Sequence, residues 1–312
     1  MPLLKIFCIL VSIQLSSVAF GAGSEPPGAK PVVTVSVEPL ALIVREICSD
    51  ACEVLTLVPK GVSEHSWQPG PKDIVKAKKA AAAIGIGIGF DERWLEKIGY
   101  AMPMVLWLGK LLDPMPWWSD DMTGKNHEGH DHGNSHEHHA DRGLENLDPH
   151  VWVDARRMSL AATAIGTHLA KVIPAGAAGF QSRSTAIADR LLKLQIQVEV
   201  RRKAWRTRPV VMFHDLAGYF ARRFNLPVLT ISAGDSGHDL SAKMIADVAR
   251  RFKTASIAAV LTEKEDGAAK TLARELKSKV KVVDFSASKS YRSWDDWYLH
   301  VVSSWEDVLK SQ

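Results

Sequence analysis

The sequence predicts an α/β protein of two lobes, each a four-stranded parallel sheet flanked by helices, joined by one long helix. Three observations predict it. Short, continuously apolar, β-branched runs alternate with helical patterns, as parallel strands covered on both faces do. The alternation occurs as two series of four strands each. Between the series, Phe180, Ile187, Leu191, Leu194 and Val198 recur at steps of seven, four, three and four, a single apolar stripe on one helix over 178–205.

In the first series the runs at 31–37, 53–58, 82–88 and 103–108 are strands, with helices near 40–47, 73–79 and 91–98. In the second the strands are 209–213, 227–231, 256–261 and 280–283, with helices near 216–224, 240–252 and 267–277. The chain then divides into an N-terminal lobe at 31–174, a linking helix at 175–205 and a C-terminal lobe at 206–312. A helix over 178–205 runs on the order of 40 Å, long enough to lie along both lobes as a strut.

A chain of 312 residues, 46% hydrophobic and 24% charged, has room for two ordinary globular domains. It opens with Lys5, an apolar run at 6–15 and the small-x-small sequence Ala19-Phe20-Gly21. The run is too short to span a bilayer, so residues 1–21 read as a secretory signal peptide and the mature protein is expected in the periplasm. Cys8 lacks the small residues that precede a lipid-anchored cysteine. A Gly/Pro/Ala-rich linker follows at 22–30. Loss of Lys5 with the leader takes the net charge from +4 to +3. No Lys/Arg stripe with interleaved aromatics is present, which excludes nucleic acid as a partner. A monomer is expected.

Cys48 and Cys52 remain after export, four residues apart and in an oxidising compartment. A local disulfide is favoured over a metal site, because no further cysteine joins them to build a thiolate zinc centre.

The segment 117–142 breaks the αβ pattern. His127, His130, His132, His136, His138 and His139 place six of the chain's 12 histidines within 13 residues, separated by Gly, Asn, Ser and acidic residues. Such a segment cannot bury a core and reads as a loop able to bind metal weakly.

Three other histidines occupy positions where strands give way to helices. His65 lies in a loop rich in proline and glycine after the second strand, His150 in Asp148-Pro149-His150-Val151-Trp152-Val153-Asp154, and His214 at the carboxyl end of an apolar strand. In open parallel sheets, ligands bind outside those carboxyl ends. Zinc takes imidazole nitrogen readily and prefers four ligands in a tetrahedron, so three histidines and one carboxylate would complete a site. The candidate carboxylates are Asp284, Glu64 and, third, Glu263. Asp148 and Asp154 are read as turn and capping residues. Asp215 either orients a ligand or caps the following helix.

Ser63-Glu64-His65, the Asp148–Asp154 segment and Phe213-His214-Asp215-x-x-Gly218-Tyr219-Phe220, in that order around a His-rich loop, resemble the signature segments of the periplasmic zinc-binding proteins of ABC importers, the ZnuA-like group. The resemblance covers nearly all of the mature chain. It implies two α/β lobes on a long helix with metal in the interlobe cleft, no enzymatic activity, a zinc site of His65, His150 and His214, and an ABC permease as partner. Asp284 corresponds to the family's usual fourth ligand, and Glu64 to a glutamate that lies at the site in some zinc members. Manganese-carrying relatives typically have a carboxylate where His214 stands, which leans the reading to one tightly held Zn²⁺ with weaker zinc in the His-rich loop. The chain departs from the family in reading Asp284-Phe285-Ser286 where Asp-Pro-Leu is usual, and in the loops at 68–73 and 232–239. Two alternatives stay open. One is a periplasmic zinc metallochaperone, as the chain itself or as its partner. The other is a zinc hydrolase with Glu64 as general base, which lacks a supporting His-Glu-x-x-His helix.

Overall fold

Two sheets with the same strand order organise the chain. A computed structural model describes residues 29–99, 104–117, 147–212, 215–231 and 242–310. The chain from Pro31 onward forms one compact unit. The signal peptide at 1–21, the His-rich loop, Phe213 and His214 lie outside the described residues.

In the first sheet, β1 (Val32–Val35), β2 (Glu53–Thr56), β3 (Ala82–Gly85) and β4 (Val105–Trp107) run in the order β2-β1-β3-β4, every pair parallel. In the second, β5 (Val210–Met212), β6 (Val228–Thr230), β7 (Ala259–Thr262) and β8 (Lys279–Val282) run β6-β5-β7-β8, again all parallel. The helices between the first strands are α1 (Glu38–Cys48), α2 (Pro71–Ala77) and α3 (Glu92–Ile98). Those between the second strands are α6 (Gly218–Phe224), α7 (Ala242–Arg251) and α8 (Gly267–Glu275).

The middle of the chain is a helical hairpin of α4 (Ala155–Val172) and α5 (Ala177–Arg202), turned by a single 3₁₀ turn at Pro174–Gly176. Asp154 starts α4 as its N-cap, accepting from Arg157 N–H at 3.0 Å. The two helices pack so closely that a Cβ on Gly166 would fall 2.1 Å from Ser184 Oγ. At 26 residues, α5 is about 39 Å long. Arg183 ties it to the end of α1 through the Ile47 carbonyl, and Arg190 pairs with Glu46 of α1. Arg190 also pairs with Asp295, and Arg201 with Glu306, both on α9 (Trp294–Leu309).

The central strands are buried on both faces, and in the second sheet the alternation is visible along β5 and β7. Val210 and Met212 of β5 and Ala259 and Leu261 of β7 join a core that continues through α5 and α9 into the first lobe. Val211 and Val260, between them, face a smaller core under α7 and α8.

The observed strands lie within or overlap the predicted runs and, β8 apart, are shorter. Residues 82–88 show why: the chain leaves the strand at Gly85 because Gly87, Ile88 and Gly89 all take positive φ. The turn is pinned by Asp91, whose carboxylate accepts Ile86 N–H at 2.8 Å and Gly87 N–H at 2.7 Å. Sequence reading missed α9. Its inward stripe of Trp294, Trp297, Tyr298, Val301, Val302 and Trp305 has helical spacing, but aromatic and β-branched residues are weak helix formers and tertiary packing settles the matter. The expected disulfide is formed: Cys48 and Cys52, with Cα atoms 5.2 Å apart, close the turn between α1 and β2.

Candidate metal site

Three side chains from two loops of the first lobe converge. The loop after β2 opens with a turn in which Val62 N–H donates to the Pro59 carbonyl, and continues with a second in which Ser66 and Trp67 N–H donate to the Ser63 carbonyl. Trp67 anchors the loop by packing edge-on against Trp94 of α3, ring centroids 5.1 Å apart. Glu64 is thereby buried and His65 half-buried.

His150 arrives from the other side. Its segment leaves an antiparallel bridge between Pro116 and Leu147 and enters a 3₁₀ turn at Val151–Val153. The ring is fully buried. His150 Nε2 lies 3.2 Å from His65 Nε2 and 3.9 Å from Glu64 Oε1, and one ligand atom from each of the three residues falls within 4.8 Å of the others. Tetrahedral zinc, with Zn–N of about 2.0–2.1 Å, would hold two imidazole nitrogens about 3.3 Å apart. The histidine pair already stands close to that separation.

Asp148 sets the orientation of the ring. Its Oδ1 accepts His150 N–H at 2.9 Å and lies 2.8 Å from His150 Nδ1, so with the Nδ1 proton turned to Asp148, Nε2 is the nitrogen that faces His65. Burial governs the ionisation of both groups. It pushes the His150 imidazole down to about 3 and the Asp148 carboxyl up to about 7. Rings complete the enclosure: Trp152 is 5.0 Å and Trp117 5.5 Å from the His150 ring, and Phe90 is 5.7 Å from the His65 ring, centroid to centroid. Among the sequence candidates these rings were not singled out as neighbours of the histidines; Trp152 was legible only as part of its motif. Asp148 was read as a turn residue, and it is also the partner of His150.

The second lobe meets the segments that flank His150 through α6. Tyr219 OH donates to the Asp148 carbonyl at 2.8 Å and accepts Met115 N–H at 2.9 Å. Arg222 reaches the Pro116 carbonyl, and Arg223 the Asp154 carboxylate. The Glu64 carboxyl is raised by burial, and its Oε1 has no hydrogen-bond partner among the described residues. Glu263 is raised to about 8, by burial first and then by the charge of Glu64, and accepts the Ser286 hydroxyl.

The sequence candidates thus separate. Glu64, His65 and His150 come together. Asp284 lies outside that group, with its carboxylate engaged elsewhere: Oδ1 accepts Ser288 N–H at 2.7 Å, and Oδ2 accepts Lys289 N–H at 3.1 Å and Tyr291 OH at 2.8 Å. His214 falls two residues beyond the end of β5, outside the described residues, as do His127, His130, His132, His136, His138 and His139.

The chain is 25% identical over 288 residues to the zinc-binding protein AdcA of Streptococcus pyogenes serotype M3, an alignment that takes in 88% of this chain but only 55% of AdcA, so the chain spans about half the length of that relative. Its fold matches a crystal structure of a ZnuA deletion mutant with zinc bound, at a TM-score of 0.71 and 22% identity over 91% of this chain and 99% of the other. It also matches a manganese-bound periplasmic metal-binding protein from candidatus liberibacter asiaticus, at a TM-score of 0.70 and 19% identity, covering 90% of this chain and all of that one. Residues 33–311 match the family model described as ZnuA, zinc-uptake complex component A, periplasmic. The match takes in both lobes, the linking helix and all three converging side chains, and the chain belongs to this family of extracytoplasmic metal-binding proteins of uptake complexes, which are solute-binding proteins and not enzymes.

Proposed function

We propose that this protein captures one Zn²⁺ in the periplasm through His65, His150, Glu64 and His214 and delivers it to the permease of an ABC importer. The observation that carries the reading is the convergence of His65 Nε2, His150 Nε2 and a Glu64 oxygen on strand-end loops, with Asp148 orienting the second ring. Two neutral imidazoles and a carboxylate suit zinc, and a third imidazole from the carboxyl end of β5 would complete a tetrahedron. Glu64 is favoured over Asp284 as the carboxylate because one Glu64 oxygen lacks a partner among the described residues, whereas both Asp284 oxygens accept hydrogen bonds. A divalent cation at Glu64 would hold that buried carboxyl ionised, offsetting the desolvation that raises it. The leader at 1–21 supports export. The His-rich loop is proposed to gather zinc at lower affinity.

The test is metal content and competitive titration of the mature protein with Zn²⁺ and Mn²⁺, beside a variant lacking the His-rich loop. One tight Zn²⁺ retained by the deletion, and preferred over Mn²⁺, is the expected result. Tight binding that vanishes with the loop would move the site out of the cleft; a preference for Mn²⁺ would overturn the choice of metal. Binding of the zinc-loaded protein to the permease, but not to a soluble apo-enzyme, separates an importer component from a metallochaperone.

A further inference from the structure

The linking helix carries two apolar faces. The inward one, with Phe180, Ile187, Leu191, Leu194 and Val198, is core. On the outward one Leu192, Ile196 and Val200 are 41%, 61% and 60% exposed, a stripe at i, i+4 and i+8 along the 26-residue helix. A helix that is apolar on both sides along the same stretch is usually covered on both.

The flanks of the stripe indicate what covers it. Asp189 precedes Leu192 by three residues and Lys203 follows Val200 by three, both exposed. The seam Asp189, Leu192, Ile196, Val200, Lys203 therefore has steps of three, four, four and three, symmetric about Ile196. At 3.6 residues per turn these five positions fall within an arc of about 80° and span about 21 Å. Neither Asp189 nor Lys203 makes a side-chain ion pair among the described residues. The charges at the two ends are opposite.

We infer that this face is the contact between two copies of this chain, with the α5 helices antiparallel about a two-fold axis at Ile196. That arrangement sets Ile196 against its own equivalent, Leu192 against Val200, and Asp189 against Lys203 at both ends, as an isologous contact requires. A parallel pair would oppose like charges at each end. A lipid surface is disfavoured because the seam ends in one charge of each sign and so offers no net attraction to anionic headgroups. Three apolar side chains a side fall well short of the ~800 Å² per partner of a stable complex, so the dimer is weak and exchanges rapidly. The monomer expected from the sequence is its dilute form.

Sedimentation velocity of the mature protein from micromolar to millimolar concentration tests this. Reversible dimerisation is expected, weakened more than about tenfold by Ile196→Glu, which places two carboxylates on the axis. Asp189→Lys should weaken it as well, by setting lysine against lysine, and Asp189→Lys combined with Lys203→Asp should restore it. All three positions are exposed and remote from the metal site, so folding and zinc capture are unchanged in each variant, and a failure here leaves the zinc reading standing. A chain that stays monomeric throughout the range overturns the inference, as does a dimer indifferent to Ile196→Glu or a charge swap that fails to restore association.

Discussion

Glu64 and Asp284 are both buried carboxylates on loops that leave the carboxyl ends of parallel strands, one in each lobe, and they differ in what reaches them. Asp284 receives two backbone N–H groups and a tyrosine hydroxyl, all from the seven residues that follow it. Glu64 keeps an oxygen without a hydrogen-bond partner among the described residues and stands beside two imidazoles. Placement at a strand end alone therefore does not decide which of the two is a ligand. A carboxylate whose lone pairs are filled by its own loop holds that loop, and one buried with acceptor capacity unused is set for a cation.

Removing an imidazole should have the largest effect. His150→Ala is expected to weaken zinc more than about 100-fold, since four ligands share a binding free energy of about 10–16 kcal/mol. Competitive titration reads it directly. A variant that still binds one zinc with unchanged affinity would detach the cleft from the function altogether.

The comparison itself is tested by two isosteric amides. Glu64→Gln should cost zinc affinity about 10- to 100-fold with little change in melting temperature, because burial already disfavours the charged form of this carboxyl when no cation is beside it. Asp284→Asn should do the reverse. Losing charge-assisted hydrogen bonds in a buried turn costs about 2–3 kcal/mol of stability, while zinc affinity stays within about tenfold. If Asp284→Asn loses zinc and keeps its melting temperature, the two assignments must be exchanged.

Between these extremes stands Asp148→Asn. The residue would touch no metal, yet it fixes which nitrogen of His150 is presented. A fall of about 10- to 100-fold in affinity is expected, because an amide oxygen accepts from Nδ1 more weakly than a carboxylate, and it should be recovered in part by a substitution that restores the carboxylate, Asp148→Glu. Affinity equal to wild type in Asp148→Asn would mean that His65 and the enclosing rings orient His150 without it.

Much of this was legible in the residues. The apolar runs and the stripe through Phe180 to Val198 announced two parallel sheets and a long helix, because burial on both faces leaves continuous apolar strands and burial on one leaves a 3.6-residue period. His65 and His150 were legible from their motifs and their place after strands. The choice between Glu64 and Asp284 was not, since it depends on which N–H groups a folded loop directs at a carboxylate, and no pattern in Asp284-Phe285-Ser286 encodes the turn that brings Ser288, Lys289 and Tyr291 back. The rings around the site were hidden for a similar reason: Phe90 reaches His65 only because Gly87, Ile88 and Gly89 turn the chain out of β3. The helix at 294–309 had the right spacing and was outweighed by its tryptophans.

A third carboxylate extends the series and carries the smallest effect. Glu306 on α9 is met by cations rather than by its own loop: Arg201 holds it from α5, Lys310 Nζ lies 3.0 Å away, and Trp205 Nε1 donates at 3.0 Å. The Arg201 hydrogen bonds, followed by those of Trp205 and Lys310, pull its carboxyl down to about 2 from an ordinary 4.5. Between those values the unfolded chain binds a proton that the folded chain does not, so stability rises with pH there. The contribution is complete above about pH 4.5 and is lost as pH falls through about 2. Glu306→Gln should therefore melt lower than wild type at pH 7, and the gap should narrow steadily on acidification below pH 4.5. Zinc affinity at pH 7 should be untouched, because this carboxylate fastens the linking helix to α9 and has no part in the cleft. A gap that stays constant down to pH 2.5 would mean that Glu306 acts through packing alone, and that of the three buried or half-buried carboxylates only Glu64 and Asp284 work through their charge.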